Sequence, residues 1–339
     1  MQNFSKTLLT ALLVFCSAII FAQDKAAEVK ALVQAGVKLH DEGKFDEAIA
    51  KYQEALKIDP NSGTAIFEIA YSNYQNGKPD VAIPFLEKLI KIDPTSAEAF
   101  DMLGNIYDDR KVYDKALDYY KQGLKADPDY QRLHFNLSIF YQRQKLYPEA
   151  EQAAIKAIKL NPGHASSHRA YALAAFNLNK RAASLLAWCS FLLLEPQSGR
   201  SAEACNYVKY LVNFGIKHDG KGNTNTTVSP NSNDLMFSIA VIGATSGKKD
   251  LSSVDSLSLQ LASLFKIQDT PKDITEPSFY SKFFVDYFKN MANTDNVAAF
   301  THFITLSTNK DEDAEWFKAH DAELKKFDNW YGSTKRVYE

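Results

Sequence analysis

The sequence predicts an all-α protein whose larger part is a solenoid of stacked helical hairpins. Three observations carry this expectation. Five prolines, Pro60, Pro94, Pro128, Pro162 and Pro196, stand 34 residues apart with no insertion or deletion between them. Each closes a similar phrase: KIDP, KIDP, KADP, KLNP and LLEP. Within the period, small and bulky residues return at fixed places. A constant period of this size marks a unit too small to bury its own apolar face, which it covers by stacking on copies of itself.

Setting each proline at position 32 divides the array into residues 29–62, 63–96, 97–130, 131–164 and 165–198. Position 8 then reads Gly36, Ala70, Gly104, Ser138 and Ala172, and position 20 reads Ala48, Ala82, Ala116, Ala150 and Ser184. Both are small in every repeat, as expected where two helices cross and a larger side chain would part their backbones. Position 24 holds Tyr52, Leu86, Tyr120, Ala154 and Trp188, and position 11 holds Leu39, Asn73, Tyr107, Tyr141 and Ala175. Turns inside the hairpins read EGKFDEA, NGKPDVA, RKVYDKA and QKLYPEA, with Gly43 and Gly77 free to take strained backbone angles. Pro79 and Pro148 fall near the starts of second helices, where a missing N–H costs little. Each helix is short enough to be marginal alone, so stability must come from stacking.

In period, small-residue sites and closing proline, about half of the chain resembles the tetratricopeptide-repeat family. The resemblance implies a right-handed superhelix of five helical hairpins, non-catalytic, with first helices lining a concave groove for a protein or peptide partner. The groove positions of the family fall here on Val33, Gln34 and Val37, then on Phe67, Tyr71 and Tyr74. They continue with Asp101, Asn105, Asp108 and Asp109, and with Arg132, Phe135, Asn136, Arg143 and Arg169. The expected groove is aromatic at its start, acidic in its middle and basic towards its end. One subclass of the family clamps a terminal carboxylate with Lys and Asn at positions 5 and 9 of the first repeat. Val33 and Val37 stand there, so that clamp is absent.

The ends of the array differ in character. Residues 1–22 carry Lys6 ahead of the apolar run LLTALLVFCSAIIFA, about as long as a signal-peptide core and short for a membrane span. A cleaved secretory signal, a periplasmic mature chain and no transmembrane span in it are expected. The ending FAQ resembles leaders of Bacteroidetes-type bacteria. The alternative is a lipoprotein anchored through Cys16, which Phe15 disfavours because that processing needs a small residue. Residues 23–28 form a short lead. Past the last repeat, residues 199–216 extend the pattern by a first helix without its partner, as a solenoid cap does. Cys189 and Cys205 are expected as buried apolar residues rather than a disulfide.

Residues 217–234, KHDGKGNTNTTVSPNSND, have the composition of a linker, and residues 235–339 are expected as a helical carboxy-terminal domain. Helical spacing runs over Leu235–Ala244, with Asp234 as its N-cap, and over Leu251–Phe265. Pro277 precedes a run containing Phe279, Tyr280, Phe283, Phe284, Tyr287 and Phe288. One further helix is read over Asp311–Trp330, acidic early and basic late. The linker favours a small separate bundle over a continuation of the superhelix.

Composition and motifs bound the function. The chain has 339 residues, 45% of them apolar, and a formal net charge of −2. That charge lacks the basic excess of a nucleic-acid surface, so no nucleic-acid partner is expected. No HExxH, CxxC, GxSxG or phosphate loop occurs, and neither a cofactor nor a metal is expected. His164 and His168 stand four apart, but His168 occupies position 4, where the family packs an aromatic. The expected function is a non-catalytic scaffold or adaptor for a protein or peptide partner, in envelope assembly or secretion. The alternative is a helical enzyme or ligand-binding domain in the last third, with the repeats as its targeting arm.

Overall fold

The computed structural model of the chain describes residues 23, 25–218, 224–228 and 233–336. The signal and lipobox readings of residues 1–22 lie outside these described residues. Helices pair as the period requires: α1 (residues 25–41) with α2 (Phe45–Ile58), α3 (Gly63–Gln75) with α4 (Pro79–Ile92), and α5 (Ala97–Asp109) with α6 (Tyr113–Ala126). Next come α7 (Gln131–Arg143) with α8 (Tyr147–Leu160), α9 (Ala165–Asn177) with α10 (Arg181–Leu194), and then α11 (Ser201–Asn213). By its contacts the chain divides after Leu133 into two compact units.

The turn inside every hairpin is the same object. Position 15 takes a positive φ in all five repeats, at Gly43 (76°), Gly77 (71°), Lys111 (61°), Lys145 (60°) and Asn179 (57°). Its N–H bonds the carbonyl three residues back, and the next N–H reaches five back: Gly43 to His40 and Lys44 to Leu39, through Asn179 to Phe176 and Lys180 to Ala175. This is the left-handed helix stop that satisfies orphan carbonyls. Glycine meets its angles freely, whereas the two lysines pay the clash of Cβ with the backbone.

The prolines mark a second recurring turn. The residue before each of the first four accepts, on its side-chain oxygen, the N–H two residues ahead: Asp59 from Asn61 (3.0 Å), Asp93 from Thr95 (2.9 Å), Asp127 from Asp129 (2.9 Å) and Asn161 from Gly163 (3.1 Å). A short polar side chain closes such a turn around a residue with no N–H of its own. Glu195 is one carbon longer, and its carboxylate instead receives Ser198 and Arg200.

Positions 8, 20 and 24 meet where the helices cross. A Cβ on Gly36 would overlap the Tyr52 ring, and one on Gly104 would overlap the Tyr120 ring. In the fourth repeat the Ser138 hydroxyl at position 8 donates to the Ala150 carbonyl at position 20 (3.0 Å). In the fifth the direction reverses, with the Ser184 hydroxyl donating to the Ala172 carbonyl (2.9 Å). Asn73, polar at a position that holds Leu or Tyr in three other repeats, is satisfied by donating to the Ile69 carbonyl (2.8 Å).

In the second unit one hydrophobic core includes Ala154, Tyr171, Trp188, Val208, Leu261, Phe284 and Trp330. The carboxy-terminal helices therefore pack on the last repeats and do not form the separate bundle expected. The cause is α10, RAASLLAWCSFLLL, buried at every residue from Arg181 to Leu193. A helix apolar all round needs cover on its outer side as well as within its hairpin. Phe283 stacks on His168 (5.9 Å between ring centres) and Phe284 on Tyr171 (5.5 Å), from a π-helical turn (Ser281–Val285) between α14 (Pro277–Tyr280) and α15 (Asp286–Asn293). Cys189 and Cys205 are both buried as free thiols.

The remaining elements differ from the sequence reading in three places. The linker contains two short antiparallel strands, β1 (Ile216–His218) and β2 (Thr224–Thr226), paired Ile216 to Thr226. Gly215 at φ 73° starts this ladder and its carbonyl accepts the Thr227 N–H (2.7 Å), so backbone pairing orders a stretch without apolar periodicity. Helix α12 (Asn233–Thr245) starts before Asp234, which sits in the first turn rather than at the cap. Helix α13 (Ser253–Ile267) is capped by the Ser252 hydroxyl, which accepts the Asp255 N–H. After α16 (Val297–Thr305), the single helix expected over Asp311–Trp330 is two, α17 (Lys310–Ala319) and α18 (Asp321–Ser333). His320 breaks it, with φ −125° and its ring stacked on Trp316.

Three substitutions test this account by chemical denaturation. Gly104→Val forces a branched side chain into the Tyr120 ring and should destabilise the protein by about 1–3 kcal/mol. Lys111→Gly and Lys145→Gly relieve left-handed strain at exposed turns and should each stabilise it by about 0.5–1 kcal/mol.

Candidate functional site

In the first unit the inner helices bring an aromatic strip together. Tyr71 lies between His40 (4.8 Å between ring centres, stacked) and Phe67 (6.3 Å, stacked), and the Arg132 guanidinium sits 6.0 Å from its centre. Each belongs to a first helix at a groove position, so helical periodicity alone places them on one face. The His40 ring is held from behind by the Ser72 hydroxyl (2.8 Å) and by the edge of Phe45. The Tyr71 hydroxyl accepts from Gln75 (3.0 Å). Tyr74 donates to the Asp109 carboxylate (2.6 Å), joining the second repeat to the third.

The acidic residues around this strip are not equally accessible. Asp101 is buried, and Nε of Arg132 answers it at 3.4 Å. Asp108 is buried as well. Asn105 is half-buried, and its side-chain oxygen accepts the Tyr120 hydroxyl (2.8 Å). Val33 belongs to the core between the first two repeats and not to the groove surface. Residues at groove positions that the sequence reading did not name include His40, Asp41, Glu68 and Glu98. The 34-residue register alone locates them. Burial, with the Asp41 charge second, raises the Glu68 carboxyl above the ordinary carboxylate range. Burial likewise pushes the Tyr52 hydroxyl up to about 12, with Glu68 next in effect. Beside the strip, Phe67 lines a hollow of about 460 Å³ together with Asp93, Glu98 and Tyr130.

In the second unit the residues read as a basic surface are partly engaged. Arg169 pairs with Glu203 (3.0 Å), and Arg143 is exposed at the end of α7. Asn136 is half-buried, and Phe135 meets the edge of the His164 ring (5.0 Å).

Histidine chemistry in this unit is internal. His168 is fully buried, its Nε2 bonded to the Pro162 carbonyl (2.9 Å), and burial drives its pKa down to about 3, with the Arg336 charge second. In the last third, His302 contacts Asp313 through Nδ1 (2.8 Å), and the other Asp313 oxygen accepts the Thr305 hydroxyl (2.8 Å). This has the form of an orienting carboxylate on a general base. Yet Asp313 is fully buried and Trp316 stacks on the imidazole at 4.3 Å, so the pair ties α16 to α17 with no room for a substrate. Among the described residues no group of three or more His, Cys, Asp or Glu has the placement to hold a metal ion. No described helix is long and apolar enough to cross a membrane.

The buried neutral His168 makes stability depend on pH. Its ordinary value is 6.5, so below that the unfolded chain takes up a proton that the folded chain refuses. Stability should fall by about 1.4 kcal/mol for each pH unit from 6.5 down towards 3. His168→Phe should flatten that slope in denaturation curves recorded across the interval.

Comparison with known proteins agrees with the hairpin geometry. Family models described as TPR repeat and tetratricopeptide repeat match residues 36–77, 64–96 and 109–175. No curated protein matches the chain significantly. Among solved structures, MamA is 27% identical, with 47% of this chain and 94% of that one covered and a TM-score of 0.41. PilF of Pseudomonas aeruginosa is 18% identical over 56% of this chain and 90% of its own, with a TM-score of 0.49. YrrB, described as a TPR protein with an unusual peptide-binding site, is 16% identical over 56% and 97%, with a TM-score of 0.40. The matched residues carry the 34-residue period, the recurring left-handed turn and the small-residue crossing: residues 36–96 and 109–175 of this chain are tetratricopeptide repeats.

Proposed function

We propose that the protein is a non-catalytic scaffold whose first unit grips a basic, aromatic-bearing segment of a partner protein. The observation that carries this reading is the strip of His40, Tyr71 and Phe67 set among acidic groove positions. Those positions hold Asp41, Glu68, Glu98, Asp101, Asp108 and Asp109 against Lys30 and Arg132. A Lys or Arg side chain of the partner would stack on Tyr71 and meet the Glu68 carboxyl, which burial and Asp41 leave costly to ionise. Aromatic residues and Arg are the side chains that carry most binding energy at protein interfaces, which supports Tyr71 and Arg132 as anchors. The apolar run at residues 8–22 supports export, making the partner a periplasmic protein engaged in envelope assembly or secretion.

Fluorescence anisotropy with labelled peptides on the full chain tests the reading. Peptides alternating Lys with Phe should bind more tightly than their Glu counterparts, with affinity falling as salt is raised. Tyr71→Ala should weaken the basic peptide about tenfold or more. Equal binding of both peptides, or binding untouched by Tyr71→Ala, would sink it.

A further inference from the structure

The hollow of about 460 Å³ beside the aromatic strip lies in the first unit, where the second repeat meets the third. Its walls come from the start of α3, where Phe67 stands, and from the end of α4 at Leu89 and Asp93. Glu98, in the first turn of α5, and Tyr130, just ahead of α7, complete them. Three properties distinguish it from the rest of the groove.

The first is unanswered charge. Asp93 and Glu98 both line the hollow, and among the described residues no Lys or Arg lines it or lies within ion-pair distance of either carboxylate. Their acidic neighbours are engaged: Asp101 faces Arg132 (3.4 Å), and Asp109 accepts the Tyr74 hydroxyl (2.6 Å). Asp93 is exposed and Glu98 half-buried, so both stay within reach of an entering group.

The second is the apolar wall between those charges. Phe67 and Tyr130 are half-buried, and Leu89 is buried beneath them. Phe67 also stacks on Tyr71 (6.3 Å between ring centres), so one ring borders both the strip and the hollow.

The third is that the walls are set before anything enters. Thr95 donates its N–H (2.9 Å) and its hydroxyl (2.6 Å) to Asp93, which holds that carboxyl below the ordinary carboxylate range and ionised at neutral pH. A Cβ at Gly63 would press on Leu89 (3.3 Å), so the missing side chain lets α3 start close against α4.

We infer that this hollow seats an arginine side chain of the partner segment, its guanidinium against the Phe67 and Tyr130 rings and its N–H groups on Glu98 and Asp93. The inference rests on the proposed reading of the first unit as a peptide-gripping surface, and it specifies the residue that enters beside the strip. Two unpaired carboxylates call for a cation. The rings and Leu89 decide which one. A guanidinium is planar and weakly hydrated, and it can lie on an aromatic face while donating to a carboxylate. The ammonium of lysine is compact and strongly hydrated, and it loses more on leaving water for an apolar wall.

Fluorescence anisotropy on the full chain tests the inference, with labelled dodecapeptides of alternating Lys and Phe in which a central Lys is exchanged for Arg, citrulline or Leu. The Arg peptide should bind about fivefold or more tightly than its Lys parent, and the citrulline and Leu peptides more weakly than that parent. Glu98→Gln keeps the shape of the side chain and should abolish the advantage of Arg over Lys, while Tyr71→Ala should weaken all the peptides alike. Equal binding of the Arg and Lys peptides, tightest binding of the Leu peptide, or an Arg advantage that survives Glu98→Gln would overturn the inference and leave the strip standing. Failure of every peptide to bind would strike the reading of the strip together with this one.

Discussion

Helix α10 carries no charged side chain between Arg181 and Glu195, and water is excluded from all sides of it. That single constraint organises the second unit. Second helices of the earlier repeats show fewer buried positions; α6, for instance, buries Ala116, Tyr120 and Gly123. Large apolar side chains such as Leu, Phe and Trp each gain about 1.5–3 kcal/mol on leaving water, so the outer face of α10 demands cover. The π turn answers it with Phe283 and Phe284, and the chain end follows. Arg336 donates to the Ser190 hydroxyl (2.8 Å) with its guanidinium 4.2 Å from the centre of Tyr287, and Tyr331 donates to the Leu193 carbonyl. Burial lowers the pKa of that guanidinium, which rings and hydroxyls solvate in place of a carboxylate.

The period made the hairpins legible because each repeat solves the same local problems. Pro at position 32, Asp or Asn before it and a small residue at position 8 are local chemistry, visible without any neighbour. The left-handed turn was visible only at Gly43 and Gly77. Lys111 and Lys145 take the same angles because the hairpin must close there, a tertiary demand that overrides residue preference. The separate-bundle reading failed for a related reason. A linker rich in Asn, Thr and Gly says where the chain leaves regular structure, but not where it returns. The uniform apolarity of α10 was the signal that it returns to the array.

The candidate site was legible by register and illegible in depth. Counting from each proline placed Phe67, Tyr71 and Arg132 on first helices, and the same count reaches His40 and Glu68. It could not show that Asp101 and Asp108 are buried, since their cover comes from neighbouring repeats. A cleft in the second unit that runs from Asn179 to Asp273 had no sequence signature at all, because its walls come from residues with no common spacing.

Covering α10 also locks one end of the array. Repeat proteins ordinarily lengthen by duplicating a unit, since each interface resembles the next. Here a duplicate inserted among the first three repeats would meet familiar neighbours on both sides. One inserted after Pro196 would separate α10 from α11 and displace the residues that Arg181 holds at Leu211 and Val212. The lineage of this protein is therefore free to vary in length at one end of the solenoid and locked at the other.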